Sequence, residues 1–90
     1  MFPSRIVLID DDQDDGYIFD LALKHLPWEI QFQHIQDSDR ALAILSEKEF
    51  TPPDMLFLDW NMPKFDGKQC LLRIRAIPGY DLLPIVICST

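Results

Sequence analysis

Asp10, Asp11 and Asp12 stand directly behind the aliphatic run Arg5–Ile9 (RIVLI), and Asp59 stands directly behind a second such run, Met55–Leu58 (MLFL). If the two runs are neighbouring strands, the carboxylates of Asp10, Asp11 and Asp59 converge in one small volume. Like charges that close raise one another's pKa unless something neutralises the group. A hard divalent cation does so. Magnesium takes a few carboxylates plus waters and leaves a position for a phosphate oxygen. Such a cation offsets the repulsion between Asp59 and an incoming phosphoryl group and stabilises charge on the equatorial oxygens, so little covalent machinery is required.

Other residues fall around this trio. Asn61 lies two positions beyond Asp59 in the loop DWNMPKFDG, where its backbone carbonyl could face the metal. Pro63 and Gly67 shape that loop. A third apolar run, Ile85–Cys88, ends in Ser89 and Thr90. Ser89 would bring a hydroxyl to the same edge, while the side chain of Thr90 should point to the opposite face. Asp12, Asp14 and Asp15 read as helix caps or rim charges, and Asp66 as a turn or cap residue. Trp60 and Met62 read as packing beside the site, and Trp28 as a satellite of the core. His25 and His34 have no evident partner in the sequence and are expected at the surface.

The elements that must position these residues follow from the apolar spacing. Runs apolar at every position suit strands buried on both faces of a parallel sheet. Asp14 to about Leu26 has helical spacing, with Ile18, Leu21, Ala22 and Leu26 expected inward, acids in its first turn and Pro27 as its stop. Ile30–Ile35 partly alternates, as an edge strand does. Ser38 is the expected N-cap of a second helix to about Glu49, with Ala41, Leu42 and Leu45 inward. Lys68 to Ala76 predicts a third helix carrying Leu71, Leu72 and Ile74 on or near its buried face. The order βαβαβαβ implies a doubly wound α/β domain with a parallel sheet. Ligands in such folds bind beyond the carboxyl ends of the strands.

Composition sets the remaining bounds. The chain has 90 residues, 48% hydrophobic and 26% charged, enough for one domain. A domain of that size buries roughly 60–65% of its unfolded surface, so its stability is modest. Fifteen acids against eight bases give a net charge of -7, a balance that repels nucleic acid and anionic lipid. Cys70 and Cys88 lie in apolar surroundings without metal-ligand spacing and read as inert thiols. No leader or membrane-length apolar run is present, so a cytoplasmic protein is expected.

Three other chemistries fit less well. A calcium loop in DDDQDDG fails on register, because the twelfth position is Ala22 counted from Asp11 and Leu21 counted from Asp10, where a bidentate Glu is required. A magnesium-dependent phosphohydrolase would want an acid two residues beyond its nucleophile, and Asn61 stands there. A nucleotide- or flavin-binding module would need a Gly- or Ser/Thr-rich phosphate loop after the first strand, where this chain has acids.

The pieces IVLIDDD, PDMLFLDWNMPKFDG and LPIVICS closely resemble the receiver domain of two-component response regulators. DDDQDD and the NMP loop look most like the small stand-alone receivers associated with phytochrome-type histidine kinases. The resemblance covers residues 1–90 and implies a flavodoxin-like sheet of order 2-1-3-4. It implies Asp59 as phosphoacceptor, Asp11 as a direct Mg²⁺ ligand with Asp10 acting through water, Asn61 giving a carbonyl to the metal, and Ser89 as the switch hydroxyl. The implied partner is a histidine kinase or histidine phosphotransfer protein, whose phosphohistidine supplies the phosphoryl group, followed by slow hydrolysis. No enzyme acting on an outside substrate is implied. A receiver-like interaction module without phosphotransfer is the other reading.

The family's domain continues with a further helix, strand and helix, and its fifth strand carries a lysine and an aromatic switch residue. Neither Lys64 nor Lys68 matches that lysine. A carboxyl-terminally incomplete receiver is therefore expected, with the edge of the fourth strand open to pairing with a second copy.

Overall fold

A strand with apolar side chains on both faces needs cover on both faces, and the chain supplies it with helices. The computed structural model describes residues 3–62 and 66–88. The strands β1 (Arg5–Ile9), β2 (Gln31–Ile35), β3 (Met55–Asp59) and β4 (Ile85–Cys88) alternate with the helices α1 (Gln13–Leu23), α2 (Ser38–Leu45) and α3 (Gly67–Ala76). All strand pairs are parallel, in the order β2-β1-β3-β4. This is the doubly wound α/β sheet of order 2-1-3-4 that the sequence implies.

One face of the sheet carries the main core. Val7, Ile9, Leu56 and Leu58 pack with Ala41 and Leu45 of α2 and Cys70 and Ile74 of α3, joined by Tyr80 and Leu83 from the loop before β4. Period-two alternation turns Ile6, Leu8, Phe32 and Phe57 to the other face, which α1 covers. Phe19 of α1 stacks on Phe32 at 5.4 Å between ring centroids and meets Phe57 edge-on at 4.8 Å. Truncating a fully buried Leu or Ile of this core to Ala would cost about 2–5 kcal/mol.

The face of α1 differs from expectation. Gly16 is buried and Phe19 and Leu23 are half-buried, whereas Ile18 is 62% and Leu21 40% exposed, with Ala22 and Leu26 also exposed. Tyr17 to Leu23 is apolar at every position except Asp20, so spacing alone selects no single stripe. The aromatic contacts of Phe19 decide it. The helix also stops at Leu23, four residues before Pro27, as His25 and Leu26 donate to the carbonyls of Ala22 and Leu23.

Three further corrections are local. Asp37 rather than Ser38 caps α2, accepting from the Asp39 N–H. That helix ends at Leu45, where the Ser46 hydroxyl donates to the Leu42 carbonyl at 2.6 Å. In α3, Cys70 and Ile74 are buried and Leu71 half-buried, but Leu72 is exposed. Asp66 caps this helix through the Gln69 N–H. Gly79, at φ 92° after Pro78, makes the turn that leaves α3. Arg75 then donates to the carbonyls of Tyr80, Asp81 and Leu83, setting the path into β4.

Candidate metal centre

The register of β1, β3 and β4 decides where the acids fall. Ile9 pairs with Leu58, and Asp59 pairs with Cys88. One step past the Ile9–Leu58 pair therefore sets Asp10 beside Asp59 at the carboxyl edge. Both are only 7% exposed, while Asp11 faces solvent. A carboxylate oxygen from each of Asp10, Asp11 and Asp59 lies within 4.8 Å of the others.

Backbone bonds hold this corner in place. The Asp10 N–H donates to the Ile35 carbonyl at 3.1 Å, and the Asp10 Oδ1 accepts from the Asp12 N–H at 2.9 Å. Asp12 is the N-cap of α1, accepting from the N–H groups of Asp14 at 2.8 Å and Asp15 at 3.4 Å. On the neighbouring strand the Asp59 Oδ1 accepts from the Asn61 N–H at 3.1 Å, and the Trp60 N–H donates to the Cys88 carbonyl at 2.8 Å. Gly67 lies under the Trp60 ring, where a Cβ would come within 2.8 Å of it.

Burial pushes the Asp10 carboxyl up from 3.8 to about 6. The Asp12 N–H opposes the shift, and the nearby charge of Asp59 adds to it. The corner is thus short of positive charge. Hard oxygen donors, two of them nearly buried and one open to solvent, are the donor set a small divalent cation takes, so the residues present fit such an ion. The thiols stay out of this chemistry. Burial raises Cys70 to about 11, and burial followed by the charges of Asp59 and Asp10 raises Cys88.

Of the residues singled out in the sequence, Asp10, Asp11 and Asp59 come together, and Asn61 touches Asp59 through its N–H. Ser89 and Pro63 lie outside the described residues. Met62 is buried in the core and Trp60 is 38% exposed. His34 corrects the expectation of a partnerless surface side chain: it is half-buried and its Nε2 lies 2.6 Å from the Asp10 carbonyl oxygen. His25 is exposed, with its Nδ1 2.8 Å from the Leu21 carbonyl oxygen. Gly16, a costly residue inside a helix, signals a close approach at this point of α1 but not which side chain makes it.

A 2-1-3-4 parallel sheet with an acid trio at its carboxyl edge defines the receiver class of signalling domain. Residues 6–90 match the family described as the response regulator receiver domain, and the chain belongs to that family. It is 29% identical to Response regulator Rcp1 of a Synechocystis species over 98% of this chain and 63% of that protein. It is 33% identical to Stress response regulator protein 1 of Meyerozyma guilliermondii, over the whole of this chain and 40% of that one. Among solved structures, the phosphorylated cyanobacterial phytochrome response regulator RcpA superposes with a TM-score of 0.84 at 31% identity, over 97% of this chain and 65% of that one. The Mn²⁺-bound form of Rcp1 gives 0.83 at 28%, over 98% and 66%. The chain therefore spans about two thirds of the length of the Rcp1-type relatives. No helix of the described residues is long and apolar enough to cross a membrane.

Proposed function

We propose that this chain is a phosphoacceptor domain of a two-component phosphorelay, taking a phosphoryl group on Asp59. The supporting observation is the trio of carboxylates within 4.8 Å of one another, in a corner where burial has already driven Asp10 up to about 6. Asp11 and Asp59 would hold Mg²⁺ directly, Asp10 through water, and Asn61 through its carbonyl. The ion supplies positive charge against the phosphoryl oxygens. The Mn²⁺-bound form of Rcp1 shows that a relative takes a divalent cation.

The protein's own part is positional. Asp59, held by the Asn61 N–H, presents a carboxylate oxygen to phosphorus in line with the leaving group. In transfer from a phosphohistidine, the new O–P bond forms as the P–N bond breaks, and the electron pair returns to the imidazole nitrogen, which then takes a proton. The Ser89 hydroxyl would report the modified state by donating to a phosphoryl oxygen. The donor is a histidine kinase or histidine phosphotransfer protein in the cytoplasm. The likeness to a phytochrome response regulator supports a kinase of the phytochrome type.

A phosphohydrolase is disfavoured because Asn61, two residues past Asp59, cannot titrate as a general acid. The test is uptake from acetyl phosphate, read as intact mass with Mg²⁺ and again after chelation. The wild type should gain one phosphoryl group with Mg²⁺ alone, and Asp59→Asn none. Equal gain in Asp59→Asn would end the assignment.

A further inference from the structure

Both backbone polar groups of Asp10 meet residues of β2. Its N–H bonds the Ile35 carbonyl, and its carbonyl oxygen, which continues no strand ladder, meets His34 Nε2 at 2.6 Å. A carbonyl oxygen can only accept, so Nε2 carries the proton in this contact. The imidazole reaches there because α1 has a notch at Gly16, where any Cβ would overlap the His34 ring. The Asp10 carbonyl and the Asp11 N–H share one rigid peptide plane. Fixing that carbonyl therefore fixes where the Asp11 Cα sits, the point from which its side chain starts. It also sets the start of the turn that the Asp12 N–H closes onto the Asp10 carboxylate.

We infer that His34 is a positioning residue for the acidic corner, donating from Nε2 to the Asp10 carbonyl so that Asp10 and Asp11 meet Asp59 in the geometry a divalent cation requires. Gly16 is the notch that admits it. The inference rests on the reading of the acids as a magnesium site. Partners one step removed from a metal commonly change affinity by about 10–100-fold when lost, and His34 acts at that remove through a backbone group.

The experiment compares Mg²⁺ affinity by calorimetry at one fixed pH for the wild type, His34→Phe and His34→Gln, with urea unfolding of each. The phenyl ring keeps the packing against Gly16 and lacks the donor. The glutamine amide restores an N–H at similar reach. The expected result is a folded His34→Phe with about tenfold weaker Mg²⁺ binding, and His34→Gln close to the wild type. A folded His34→Phe with wild-type affinity overturns the inference, as does a His34→Gln no better than His34→Phe. If the phenyl ring prevents folding, His34→Leu takes its place with the same expectations. Failure of both to fold would make His34 a purely structural residue and overturn the positioning role. A wild type that binds no Mg²⁺ would instead remove the magnesium reading itself, an outcome the variants cannot mimic.

Discussion

Asp54 and Asp10 occupy opposite edges of one sheet and meet opposite conditions. Asp54, at the amino edge before β3, accepts from the Ser4 N–H at 2.8 Å, the Ser4 hydroxyl at 2.9 Å and the Arg5 N–H at 2.9 Å. Those backbone donors, the Ser4 N–H foremost, hold its carboxyl below the usual carboxylate value. Asp10, at the carboxyl edge, has one backbone donor, little solvent and another carboxylate beside it, and is pushed up to about 6. The same side chain thus tacks β1 to β3 at one end and makes an unfavourable concentration of charge at the other. A fold keeps such a corner where something else supplies the missing positive charge.

Asp10→Asn should give the largest response. At neutral pH it removes a carboxylate that the folded state ionises reluctantly, so the metal-free protein should gain up to about 1–3 kcal/mol in urea unfolding. The same variant should bind Mg²⁺ at least about tenfold more weakly. The sign follows from the direction of the shift. A group whose folded pKa lies above its unfolded value leaves the fold at full stability below about 3.8 and costs it stability as pH rises from there through about 6. Metal-free wild type should therefore lose stability across that window, from this group, and Asp10→Asn should flatten the loss.

Asp12→Ala comes next, removing the cap of α1 at a cost of about 1 kcal/mol and leaving Mg²⁺ affinity near that of the wild type. The smallest response belongs to Asp54→Asn, an exposed site. It should lower the urea midpoint slightly and leave Mg²⁺ affinity unchanged. Loss of Mg²⁺ binding in Asp54→Asn, with the fold intact, would break the contrast between the two edges.

Much of this arrangement is legible in the chain. RIVLI, MLFL and IVIC are apolar at nearly every position, which only strands covered on both faces tolerate, and each leads into polar residues. That pattern places Asp10, Asp11 and Asp59 at the carboxyl ends of two strands, and the family resemblance makes those strands neighbours. The face of α1 is not legible, because seven consecutive positions from Tyr17 hold one polar residue, and only the ring contacts of Phe19 select the stripe. His34 is not legible either: its bond is to a backbone carbonyl, which leaves no mark in the sequence. Asp54 is not legible, because its three donors come together only when β1 and β3 lie side by side.

Thermal unfolding at neutral pH with increasing Mg²⁺ tests most directly whether the crowded corner exists to hold a cation. At about ten times the dissociation constant, binding to the folded state alone adds about 1.4 kcal/mol, or about 5–10 °C for a domain of this size. The wild type should show that rise and Asp10→Asn little of it. A wild-type melting temperature indifferent to Mg²⁺ would contradict the account.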